Sequence, residues 1–152
     1  MTPGRIRSDV VAERIAWIRE MIASIKRLPL SDYEAFINDP RNSAAAESYL
    51  RRAIEALLDL GRHILAKGFG FAVTEYKDIG VKLSETDVIS GSQGLLLRKI
   101  AGYRNRMVHF YHEVSIRELF DLCTRNVHDI EILLDSFISW IRGNPEKMDQ
   151  PW

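Results

Sequence analysis

Apolar residues recur along this chain at alternating steps of three and four, the period of a single buried helix face. Val11, Ile15, Ile18, Ile22 and Ile25 form the first such stripe, and Pro29 closes it. Ser31-x-x-Glu34 reads as a capping box opening a short helix through Ala35, Phe36 and Ile37. Asp39-Pro40 supplies an N-cap and a first-turn proline for a second long helix. That helix carries Leu50, Ile54, Leu57, Leu58, Ile64 and Leu65, and the pattern ends it at Gly68. Between Gly68 and Gly94 the period weakens, broken by Gly68, Gly70, Gly80, Gly91 and Gly94, with room for one short helix over residues 75–83. Leu96, Ile100, Tyr103 and Met107 mark a third long helix. Ser115-x-x-Glu118 is a second capping box. It opens a helix bearing Ile116, Phe120, Cys123, Val127, Ile130, Leu134, Phe137 and Ile141, ended by Gly143 and Pro145.

No alternating β-branched run competes with this pattern. Four long helices joined mostly by short links predict an all-α, antiparallel four-helix bundle with a short extra helix, spanning residues 1–144. The four–three spacing favours crossing angles near about +20°. Residues 145–152 read as a loose tail.

Composition narrows the class. The 152 residues fit one domain, and 46% hydrophobic content is enough to bury a core. Lysine and arginine total 21 and aspartate and glutamate 21, so a uniformly basic coat is excluded while a local basic patch is not. The lone Cys123 excludes an internal disulfide framework and suits a reducing cytoplasm. No apolar run is long enough to span a bilayer, and no secretory leader is expected. Glu-x-x-His, His-Glu-x-x-His and P-loop patterns are missing, so neither a metal nor a cofactor is expected.

The informative stretch is VISGSQGLLLRKIAGYRNRMVHFYH, residues 88–112. It contains no carboxylate, while Arg98, Lys99, Arg104 and Arg106 bring positive charge and His109 and His112 add to it. Such a window reads either as an anion-binding surface or as a basic helix face paired with acids on neighbouring helices. Within it, Arg104 and Tyr111 are seven apart and fall within roughly 20° on one helix face. Arg104 and His109 are about 140° apart on a regular helix. They converge on one ligand if the helix ends near Val108, or if a second subunit supplies one of them.

An arginine and a histidine beside a phosphate suit RNA chemistry. A histidine titrates near neutrality and can take a proton from a ribose 2′-OH or give one to the leaving 5′-oxygen. Arginine can fork onto the phosphate as charge builds on its oxygens. Asn105 could orient either group, and Tyr111 could stack on a base. One histidine cannot do both proton transfers at once, so two facing copies of the motif are the economical arrangement. The competing account pairs Arg104 with a neighbouring acid, packs His109 at a helix end and buries Tyr111.

The string Arg104-Asn105-Arg106-Met107-Val108-His109-Phe110-Tyr111 resembles the R-x4-6-H motif of HEPN domains. The polar residue after the arginine and the H-x-Y ending resemble the HepT-like toxin branch. AIEALLDLGRHILAKGFG is similar to the family's corresponding helix, and LRKIAGYRNRMVHFYHEV to its signature helix end. The resemblance runs from about Ile15 to Ile141. It implies a homodimeric HEPN bundle with the motifs meeting at a cleft across the interface. It also implies metal-independent endoribonuclease activity on mRNA or tRNA. Arg104 and His109 are then the catalytic pair and Asn105 the assisting residue, while Arg98, Lys99, Arg106 and His112 are expected phosphate contacts on the strength of the basic window alone. Tyr111 matches the tyrosine that a cognate MNT-type nucleotidyltransferase antitoxin adenylylates, adding bulk and negative charge where the RNA phosphate belongs. The alternative is a non-catalytic HEPN partner that binds nucleotide or scaffolds a nucleotidyltransferase.

Other residues have plainer expectations. His63 either looks into the cleft beside Asp59 or is hydrogen-bonded within the bundle. His128 reads as a flank residue, while Cys123 and Tyr103 read as core. Trp17 and Trp140 are candidate dimer contacts.

Overall fold

The computed structural model describes residues 4–109 and 114–152. Seven α-helices account for most of it: α1 Ser8–Lys26, α2 Tyr33–Ile37, α3 Pro40–Phe69, α4 Tyr76–Glu85, α5 Gly91–His109, α6 Ile116–Asp121 and α7 Val127–Gly143. The thirty-residue α3, about 45 Å long at 1.5 Å per residue, is the spine. It contacts every other helix, with α1 laid along it and α4 laid along α5. Phe36, Leu50, Ile54, Leu57, Leu58, Ile64, Leu65 and Phe137 are fully buried around it. The expected all-α bundle is therefore present, with α2 and α4 as short additions.

Local signals set the helix starts. Asp39 caps α3 by accepting from Arg41 N, with Pro40 in the first turn. The α2 cap is Asp32, which accepts from Ala35 N, and not Ser31 as its spacing to Glu34 suggests. Ser115 Oγ accepts from Glu118 N at 3.0 Å, but Glu118 does not complete the box. Its carboxylate turns to Arg106 instead, at 2.6 and 2.9 Å.

Four expectations are corrected. The second long helix runs past Gly68, which is buried beneath Ile6, and ends at Gly70 with φ 75°. Gly80 and Gly94 are not breakers. Each lies within or at the start of a helix, and each faces the other's backbone carbonyl where α4 and α5 meet. The last helix runs unbroken but is not α-helical throughout: a π-helical segment, Leu122–Asn126, joins α6 to α7, and Thr124 Oγ1 donates to Phe120 O. Ile116, in the first turn of α6, is exposed, while Phe120 packs edge-on to Tyr33. Finally, the expected loose tail is packed over residues 145–149. Pro145–Lys147 form a 3-10 turn, Met148 pairs with Ile6 in a parallel bridge, and both side chains are buried.

The α5 face also differs in detail. Gly94, Leu97, Ile100, Ala101 and Met107 are buried, while Leu96 and Tyr103 sit half-buried at its margin.

Candidate active site

The last described turns of α5, Arg62 in the last third of α3, and the residues leading into and opening α4 line an open cleft of about 440 Å³. Its walls are Arg62, Thr74, Glu75, Tyr76, Lys77, Arg104, Asn105 and His109. Helix α5 runs through His109, the last described residue before residue 114, and carries Arg104, Asn105 and His109 on one continuous helix. Arg104, Asn105 and His109 thus border a single cleft within one chain.

Arg104 is held at several points. Its Nε donates to Glu55 Oε1 at 3.1 Å, and its Nη1 donates to Asn105 Oδ1 at 3.2 Å. Its guanidinium carbon lies 4.9 Å from the centre of the Tyr76 ring. Glu55 is itself held by Arg51 at 3.3 Å, one helical turn away. The same Tyr76 ring also carries Arg62, whose guanidinium carbon is 4.7 Å from the ring centre. Tyr76 Oη donates to Asp59 Oδ1 at 2.9 Å. Burial, and then this hydrogen bond to a carboxylate, push the Tyr76 phenol above its ordinary value, so it stays protonated. Arg62 secures the α3–α4 connection by donating to Val73 O at 3.0 Å and Thr74 O at 2.7 Å.

The other sequence candidates fall elsewhere. Arg106 lies about 200° around α5 from Arg104 and forks onto Glu118, tying α5 to α6. Arg98 and Lys99 are exposed on α5 but do not line the cleft; Lys99 Nζ lies 6.0 Å from the Tyr103 ring centre. Tyr111 and His112 lie outside the described residues. His63 is not in the cleft: its Nε2 accepts from Arg7 N at 3.0 Å, at the start of α1. Trp140 packs on Phe69 within the chain, with ring centres 5.6 Å apart, whereas Trp17 is partly exposed. His128 is exposed on α7, and burial pushes the Cys123 thiol up to about 12. Among the described residues, no three His, Cys, Asp or Glu side chains gather as a metal ion would require.

Sequence reasoning missed Glu55, Arg62 and Tyr76. A signal for the first two exists: Arg51, Glu55, Asp59 and Arg62 follow one another at steps of four, four and three, a charged stripe on an otherwise buried helix. Tyr76 left no such trace, because only the chain reversal after Gly70 brings it to α5.

The sequence model of the ribonuclease HepT-like family matches residues 18–137. The chain belongs to that family. A curated HepT-like relative, the mRNA nuclease HepT of Shewanella oneidensis, is 24% identical over 128 residues, covering 84% of this chain and 96% of that protein. Among solved structures, the tri-AMPylated Shewanella oneidensis HEPN toxin in complex with MNT antitoxin superposes with a TM-score of 0.79 at 23% identity. It covers 87% of this chain and 98% of that one. The Bacillus subtilis cytosolic protein YutE, of unknown function, superposes with a TM-score of 0.73 at 18% identity, over 88% of this chain and 90% of that one. The HepT-like bundle is thus a HEPN fold, and its motif arginine and histidine lie at the rim of one cleft.

Proposed function

We propose that this HepT-like chain is the toxin of a toxin–antitoxin pair and acts as a metal-independent endoribonuclease on mRNA or tRNA. The observation that carries the reading is the single cleft bordered by Arg104, Asn105 and His109, with Arg104 already oriented by Glu55 and Tyr76. Two copies face each other, so that each supplies one histidine. One His109 takes the 2′-OH proton, the 2′-oxygen attacks phosphorus, and the P–O5′ bond breaks. The second His109 gives a proton to the leaving 5′-oxygen, which leaves a 2′,3′-cyclic phosphate and a 5′-hydroxyl. The free edge of Arg104 meets the charge building on the phosphate oxygens. Arg98 and Lys99, exposed along α5, hold phosphates of the strand beyond the cleft, with His112 as a further phosphate contact.

The partner is a nucleotidyltransferase antitoxin of the MNT type, which adenylylates Tyr111. The name of the Shewanella relative and the AMPylated toxin–antitoxin complex support this reading. The test is cleavage of end-labelled tRNA and an mRNA in EDTA, wild type beside His109→Ala. Cutting by wild type alone, with cyclic-phosphate ends, is expected. Silence from both, with protein whose intact mass shows no adenylyl group, refutes it in favour of a non-catalytic HEPN partner. Co-expression with the nucleotidyltransferase should add adenylyl mass to wild type and not to Tyr111→Phe.

A further inference from the structure

The α3–α4 connection and the start of α4 are not part of the Arg-x4-His motif, yet they supply half the walls of the cleft. Their construction is directed at one place. Arg62 reaches out of α3 and grips two successive carbonyls, Val73 O and Thr74 O, fixing the backbone just before α4. That fixes Tyr76, the first residue of α4, whose hydroxyl is anchored on Asp59 one turn before Arg62 on the same helix. The anchored ring then lies against Arg104 at 4.9 Å.

Arg104 needs such support. An arginine side chain has many rotamers, so an unsupported one would point at the phosphate only part of the time. Two hydrogen bonds, from Nε to Glu55 and from Nη1 to Asn105, fix the guanidinium at two of its nitrogens. Hydrogen bonds in the guanidinium plane leave rotation out of that plane soft. An aromatic ring against the group resists that remaining motion while using no N–H donor, so the Nη2 edge stays open for a phosphate. The ring is also polar at its far end, and Asp59 takes up that hydroxyl.

We infer that Tyr76 is a positioning residue for Arg104: the Asp59–Tyr76–Arg62 assembly, built from α3 and the start of α4, holds the arginine in its phosphate-facing orientation. The inference rests on the proposed ribonuclease reading for its effect on rate, but not for its effect on Arg104 itself.

Two variants and two readouts test it. Tyr76→Phe keeps the ring and loses the hydroxyl; Tyr76→Leu loses the ring. The first readout is the arginine Nε–H cross-peak in a nitrogen–proton correlation spectrum of the whole chain, assigned by its loss in Arg104→Lys. Wild type and Tyr76→Phe should both show a ring-shifted Arg104 signal. In Tyr76→Leu, shown by circular dichroism to be folded, that signal should move by several tenths of a ppm in proton shift and broaden. The second readout is RNA cleavage, where Tyr76→Leu should lose ten-fold or more in kcat with KM changed less than three-fold, and Tyr76→Phe, which keeps the ring but loses its anchor on Asp59, should lose less than Tyr76→Leu. An Arg104 signal unmoved in Tyr76→Leu overturns the inference whatever happens to the rate. A loss carried by KM overturns it too, because it would mark Tyr76 as a direct contact of the RNA. If wild type cuts no RNA, the ribonuclease reading fails while the spectrum still decides the role of Tyr76.

Discussion

Glycine-to-alanine substitutions at Gly80 and Gly102 should change stability in opposite directions, although both positions lie within helices. Propensity alone favours alanine by about 1 kcal/mol at either site. At Gly102 a Cβ would meet nothing within 4 Å, so Gly102→Ala should realise a gain of up to about 1 kcal/mol. At Gly80 the Cβ would run into the carbonyl oxygen of Gly94 and approach Arg98 N to 3.3 Å. Those atoms are backbone of a packed helix and cannot swing aside as a side-chain tip can. Either α4 and α5 move apart, uncovering Ile79, Leu83 and Leu97, or the strain stays in place. Overpacking of this kind costs about 3 kcal/mol at the upper end of its usual range, which leaves a net loss of about 2 kcal/mol. For a chain of this length that lowers Tm by roughly 4–8 °C. Urea titrations followed by circular dichroism, with thermal melts beside them, measure both variants against wild type. Gly80→Ala as stable as wild type, or more so, would refute the close approach of α4 and α5. Because α4 also carries Tyr76, the variant should disturb the cleft as well.

Three further outcomes are expected. His63 in its neutral form accepts from Arg7 N, and burial, followed by the nearby Lys67 and Arg7 cations, holds its pKa below the ordinary 6.5. Its contribution is therefore complete above about pH 6.5 and is lost as pH falls through the lower folded value. Urea midpoints at about pH 7.5 and about pH 5.5 should differ less in His63→Gln, which keeps an acceptor that does not titrate, and equal differences would sink the argument. The Cys123 thiol, buried and pushed up to about 12, should resist a thiol reagent in the native protein and react promptly in urea; prompt native reaction would contradict its burial. Met148→Ala should cost about 2 kcal/mol, since the side chain is buried beside the Ile6 bridge, whereas a loose tail would show no change in the urea midpoint.

The sequence by itself determined the helices, their buried faces and the motif. Periodicity is a local property, and the caps at Asp39 and Ser115 are local hydrogen bonds, so both could be read without knowing what lies across from them. Arg104, Asn105 and His109 are close in sequence, which is why their grouping was legible. Contacts between distant segments were not. Gly80 and Gly94 looked like breaks because a glycine contact between two helices leaves no apolar stripe to count. The π segment was invisible because Cys123 and Val127 keep four-residue spacing across it. The tail looked loose because Ile6, its partner, stands 142 positions earlier. Glu55 and Tyr76 reached the site for the same reason: their role depends on a turn at Gly70 and on a carboxylate 49 residues from the arginine it holds. Tertiary packing decided how Arg104 is aimed beyond its local bond to Asn105, since Glu55 and Tyr76 reach it from two other helices.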